Sequence, residues 1–164
     1  MILSKKIVLL LSFIISSALI SSTSWALEMR SFSGKPTTLE QHVGKGKWSV
    51  VVFWSHSCGI CRRETPALSN FHLKHKDIDA QVIGVSIDGE KNKPLAEQFI
   101  KQTQMKFPSF IVELPLMAIN FKQLTQENFR GTPTFLLYNP AGEIVGMQAG
   151  PVRVEALESF IASN

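Results

Sequence analysis

The only two cysteines of this 164-residue chain, Cys58 and Cys61, are separated by two residues within FWSHSCGICRRETPAL, residues 53–68. At the start of a helix, positions i and i+3 share one face, so the two sulfurs can reach each other. First-turn N–H groups lack partners and the macrodipole is positive there. Both effects favour a thiolate over a thiol, most strongly at Cys58, the N-terminal position. A thiolate of this kind titrates anywhere from ~3.5 to ~7.5, against ~8.5 for a free cysteine. The chemistry expected is reversible thiol–disulfide exchange: Cys58 attacks a partner disulfide, and Cys61 resolves the mixed disulfide by attacking Cys58.

Competing readings of the same residues are weaker. A structural bridge over two intervening residues closes a tiny loop and removes little chain entropy. A closed zinc site wants four ligands, and the chain has no second CxxC and no HxxxH pair. His56-x-Cys58-x-x-Cys61 could hold a soft metal such as Cu(I), which makes a copper-binding chaperone module the alternative class. Met105, Met117 and Met147 are scattered and add little to it.

Glu64 lies three residues after Cys61, hence on the same helix face. A carboxylate partly buried there could take the proton of Cys61. Spacing alone fits equally well an acidic residue drawn to the first helical turns by the macrodipole. Arg62 and Arg63 either raise the local positive potential or are solvated helix residues. Trp54 is expected in the core beneath the site, and His72 and His75, in the polar end FHLKHK, on the surface.

These residues need elements to hold them. Trp48–Trp54 (WSVVVFW) is a nearly continuous apolar run, as a strand covered on both faces requires. A helix from about Cys58 to Lys74 follows, with Leu68, Phe71 and Leu73 as candidate core positions. Pro66 inside it is expected to kink it. Residues 80–87 (AQVIGVSI) read as a second buried strand ending in Asp88-Gly89. Lys93–Gln104 reads as an amphipathic helix with Leu95, Phe99 and Ile100 inward. A short strand over Phe107–Glu113, a helix over Leu116–Leu124, strands Thr134–Tyr138 and Glu143–Gln148 around an Asn139–Gly142 turn, and a helix Val154–Ala162 complete the order. That last helix should bury Leu157, Phe160 and Ile161. Residues 27–47 read as a lead-in with a short hairpin and a one-turn helix near Thr38–Val43.

The stretch around the cysteines resembles the active site of the thioredoxin superfamily, and within it the TlpA/ResA-type exported thioredoxins, which typically read FWA-x-W-C-x-x-C-x-x-E-x-P-x-L. Phe53, Trp54, Cys58, Cys61, Glu64, Pro66 and Leu68 match, whereas Ser55, Ser57 and Ile60 depart from it. The resemblance covers about residues 39–162. It implies a thioredoxin-like α/β fold, a central mixed β-sheet flanked by helices, with a strand-helix insertion over about 100–124. It makes Glu64 the active-site glutamate. In thioredoxin itself a buried Asp precedes the Phe-Trp pair, and here Val52 stands there. Pro133 in Gly-Thr-Pro-Thr-Phe matches the cis-proline loop that the family places against the CxxC; Thr132 would then offer backbone hydrogen bonds to a bound polypeptide. By the same resemblance the redox-active Cys58–Cys61 disulfide serves without a further cofactor or metal. Partners would be protein substrates with disulfides or thiols, as in cytochrome c maturation or the protection of exported thiols. A membrane thiol-disulfide electron donor would recharge it. A disulfide-forming oxidant is the alternative within the same chemistry.

The N-terminus reads as an export signal: Lys5 and Lys6, an apolar core over 7–20, then Ser24-Trp25-Ala26 as a small-x-small cleavage site. The domains expected are a signal peptide at 1–26, with an uncleaved anchor as the alternative, and a thioredoxin-like domain at 27–164. The setting is then the periplasm or the extracytoplasmic face of the inner membrane, with membrane attachment only if the leader is retained. Its two lysines carry half of the net charge of +4. What is left is too mild to argue for nucleic acid, and no basic run interleaved with aromatics occurs.

Overall fold

The structure is a computed structural model that describes residues 26–164. The expected signal peptide therefore lies outside the described residues, apart from Ala26. Strands β1 (Glu28–Ser31) and β2 (Pro36–Thr38) form a hairpin, followed by a single 3-10 turn at Leu39–Gln41. Then come β3 (Trp48–Trp54), α1 (Gly59–His75), β4 (Ala80–Ser86), α2 (Lys93–Thr103), β5 (Ser109–Ile111), α3 (Leu114–Thr125), β6 (Thr134–Tyr138), β7 (Ile144–Ala149) and α4 (Val154–Ala162). The strands make one sheet in the order β2-β1-β5-β4-β3-β6-β7. β3 runs parallel to β4, and β4 to β5, while β6 pairs antiparallel with β3 and β7. The sheet is mixed, as expected. The lead-in hairpin also belongs to it, because β1 pairs with β5.

Strand β3 sits near the middle of the sheet, and its alternating side chains feed two cores. Val51 and Phe53 pack with Ile83, Val85, Leu136, and Met117 and Phe121 of α3. Val50 and Val52 point the other way, toward Leu68 and Phe71 of α1 and Leu157 and Ile161 of α4. Burying each such side chain stabilises the fold by about 1.5–3 kcal/mol. The consequence for function is positional: β3 is fixed on both faces, so the loop leaving its C-terminal end starts from a rigid support.

Three expected core positions are displaced. Leu73 is 50% exposed, and His72 is buried in its place. Leu68, Phe71 and His72 lie at i, i+3 and i+4, one face of α1, and Leu73 falls off it. Leu95 is likewise 44% exposed, with Ala96, Phe99 and Thr103 inside. Phe160 is exposed, its ring edge-on to Trp48. The two histidines expected on the surface are both engaged. The Val82 N–H donates to His72 Nδ1, so the ring must accept there, and burial pushes its pKa below the ordinary histidine range. His75 stacks on Phe71 and contacts Asp79 and Glu158. Pro66 lies within α1 without ending it.

Candidate active site around the Cys58–Cys61 disulfide

Strand β3 ends at Trp54, and the chain turns through Ser55–Ser57 into α1. The Cys58 N–H donates to the Ser55 carbonyl at 3.1 Å, which closes that turn. Cys58 is the N-cap of α1, in extended conformation, and Cys61 lies in the first turn. The two are joined in a disulfide. Cys58 Sγ accepts the Cys61 backbone N–H at 3.0 Å, so an orphan donor of the helix start already points at the outer sulfur. Exposure separates the pair: Cys61 is 3% exposed, whereas Cys58 is only half-buried.

Trp54 forms the floor, as expected. Its indole stacks on Phe99 of α2 with centroids 4.7 Å apart, and Nε1–H donates to Ser109 Oγ at 3.0 Å. Gly84 on β4 makes room for this pair. A Cβ there would lie 2.6 Å from Ser109 Oγ and 2.9 Å from Trp54 Nε1. Arg62 is tied to α2, with its guanidinium over the Phe99 ring and a hydrogen bond to Gln102 Oε1. Arg63 stays exposed on the helix surface.

Glu64 is drawn inward. Its Oε1 accepts the Val152 N–H at 2.9 Å, across 88 residues of sequence, while Oε2 is buried without a hydrogen-bond partner. Desolvation raises its pKa above the ordinary carboxylate value, against the lowering effects of the Val152 N–H and Arg63. A cavity of about 10 Å³ is lined by Cys61, Glu64, Val52, Trp54 and Thr65 among others. That is room for one water. Val52 lines the same cavity as the carboxylate, with no second acid at that position.

The Thr132–Pro133 bond is cis. The loop is braced by Thr134 Oγ1–H donating to the Gly131 carbonyl and by the Gly150 N–H donating to the Pro133 carbonyl. Thr134, the next residue, pairs with Phe53, so the loop stands at the end of the sheet from which Cys58 emerges. Neither backbone group of Thr132 takes part in a hydrogen bond among the described residues.

Sequence reasoning did not find Asp88. Its Oδ2 accepts the His56 backbone N–H at 2.9 Å and the Ser86 hydroxyl at 2.7 Å, and Oδ1 lies 2.6 Å from His56 Nδ1. His56, the residue that suggested copper, is engaged by this carboxylate. Among the described residues no group of three or more His, Cys, Asp or Glu side chains is arranged to hold a metal ion. The one available signal for Asp88 was its place just past the end of β4. Parallel β3 and β4 end side by side, and the crevice beyond such strand ends is where α/β sheets build sites.

Comparison with known proteins agrees with this geometry. Residues 23–147 match the model of the AhpC/TSA family. The chain is 26% identical over 117 residues to sporulation thiol-disulfide oxidoreductase A of Bacillus subtilis, which covers 71% of this chain and 67% of that protein. It is 25% identical over 135 residues to the thiol-disulfide oxidoreductase ResA of Halalkalibacterium halodurans, covering 81% and 70%. Among solved structures, a thioredoxin-family thiol:disulfide interchange protein from Chlorobium tepidum superimposes with a TM-score of 0.69 at 19% identity, over 84% of this chain and 92% of that one.

Proposed function

Since the chain belongs to the AhpC/TSA family of the thioredoxin superfamily, we propose that its Cys58–Cys61 pair, once reduced, reduces disulfides of partner proteins outside the cytoplasm. Thiol–disulfide oxidoreduction is the activity named for its relatives. The observation that carries this reading is the asymmetry of the pair: one sulfur half-open at a helix N-cap, the other buried at a small cavity it shares with Glu64, whose second carboxyl oxygen has no partner.

Each residue then has a role. Cys58 attacks the partner disulfide as a thiolate favoured by the helix start. The backbone of Thr132, next to cis Pro133, holds the partner as an extended strand. Glu64 accepts the proton of Cys61, and the resulting thiolate attacks Cys58 Sγ, releasing the reduced partner and restoring the disulfide. A membrane thiol–disulfide donor returns two electrons and two protons to start the next cycle. Cytochrome c maturation and the protection of exported thiols are the settings we assign, and the export-signal-like N-terminus supports the extracytoplasmic placement.

The deciding experiment is the equilibrium reduction potential against glutathione, together with the redox state of the two cysteines in cells. A reducing potential with cysteines held as thiols in cells supports the reductase. A two-electron couple moves tenfold in equilibrium constant for each ~30 mV. Cysteines held oxidised at a high potential would turn the assignment into a disulfide-forming oxidant. Tight stoichiometric copper binding by the reduced protein, without insulin reduction, would replace it with the copper-binding module.

A further inference from the structure

The turn that delivers Cys58 to its helix carries a titratable pair that the exchange chemistry above does not use. Asp88 holds His56 at two points, the backbone N–H and the ring nitrogen Nδ1. The Asp88 side chain is 4% exposed and the imidazole 28%. A clamp on this turn needs only the backbone contact, which any residue except proline can provide. The second contact is specific to the ring. A carboxylate can only accept, so Nδ1 carries the hydrogen and a neutral ring keeps its lone pair on Nε2. Nε2 makes no hydrogen bond among the described residues. Two residues further on stands the half-exposed sulfur that must lose its proton to react. A carboxylate that orients a base, placed two residues before the nucleophile, supplies the parts by which weak nucleophiles are activated. Other charged groups border the turn. Glu113 bridges Asp88 through its backbone, and Arg62 and Arg63 lie in the first turns of α1.

We propose that His56 carries the proton for the outer sulfur, with Asp88 as its positioning residue; this rests on the exchange reading above. His56 Nε2 takes the proton of the Cys58 thiol, and the thiolate attacks one sulfur of the partner disulfide. The new S–S bond forms as the partner's S–S bond breaks, and the departing thiolate takes the proton back from the imidazolium. No further oxidant or reductant is needed for this step. The two sulfurs are thereby served by different groups, Cys58 by His56 and Cys61 by Glu64.

The test isolates the first step in a Cys61→Ala background, where the mixed disulfide accumulates. His56→Asn is the informative change: its amide nitrogen can still donate to Asp88, but no atom replaces Nε2. Mixed-disulfide formation with a peptide disulfide should slow about 100-fold at neutral pH, and the histidine limb of the pH–rate profile should vanish while Tm holds. His56→Ala, which also removes the ring contact, should regain part of its rate when imidazole is added to the buffer. A merely structural clamp moves Tm and is not rescued. An unchanged rate and profile in His56→Asn, or no rescue by imidazole in a folded His56→Ala, would overturn the proposal. If Cys61→Ala alone forms no mixed disulfide, the exchange reading fails and this assignment falls with it.

Discussion

Glu64, at the cavity it shares with Cys61, and Asp88, which holds the turn before Cys58, are both carboxylates, and they are treated in opposite ways. Glu64 shares a small apolar cavity with Cys61 and receives one backbone donor, leaving its second oxygen buried and unpaired. The Asp88 side chain, 4% exposed, receives three donors, from the His56 backbone, the His56 ring and the Ser86 hydroxyl. Burial disfavours a carboxylate's charge, and hydrogen bonds to the charged form favour it. The donor count therefore separates a group suited to accept a proton from one suited to hold another group still. Glu64 fits the first description and Asp88 the second.

The largest effects fall on the sulfurs that these carboxylates serve. Cys58→Ala should abolish exchange, and Cys61→Ala should trap partners as mixed disulfides. In the reduced protein iodoacetamide should label Cys58 first. In the Cys61→Ala background, Glu64→Gln should leave mixed-disulfide formation unchanged, because its sulfur is gone. If Glu64→Gln slows that step, the two carboxylates do not divide the work between the sulfurs.

Glu64→Gln in the otherwise intact protein should slow turnover about 10- to 100-fold by removing the proton acceptor for Cys61. Its effect on stability has the opposite sign. Burial raises the folded pKa of Glu64 above its ordinary value of 4.5. The native state thus binds the proton more tightly than the unfolded chain does. The stability gained while Glu64 is protonated is lost as pH rises from the ordinary value through the raised one. Above that window Glu64→Gln should melt higher than the parent, and below it the two should coincide. A variant that melts lower than the parent at neutral pH would mean that the Val152 hydrogen bond outweighs the desolvation.

The smallest effect expected is at Ser86. Ser86→Ala removes one of the three donors to Asp88 and should cost about 1–2 kcal/mol of stability in denaturant melts. Exchange should slow only a few-fold, because both contacts to His56 remain. A loss as large as that of His56→Asn would give Ser86 a share in placing the ring.

Much of the site was readable locally. The Cys58–Cys61 spacing placed both sulfurs at a helix start, and Trp48–Trp54 and Val154–Ala162 were bounded as found. His72 shows how residue type misled where period was right. Positions 68, 71, 72 and 75 share one helical face, yet FHLKHK reads as polar, and Leu73 drew the apolar assignment. A histidine is tolerated inside only because the Val82 N–H is there to be accepted.

By itself the sequence determined what short-range periodicity and chain-local chemistry can carry: the reacting pair, the strand and helix that present it, and the burial of β3 on both faces. Tertiary structure decided which donors reach each carboxylate. Val152 meets Glu64 across 88 residues, Asp88 meets His56 across 32, and β1 joins the sheet through β5. Spacing cannot encode such meetings, because they depend on how whole elements pack. The same acidic side chain then becomes a proton acceptor or an anchor according to the backbone and hydroxyl donors that packing brings to it.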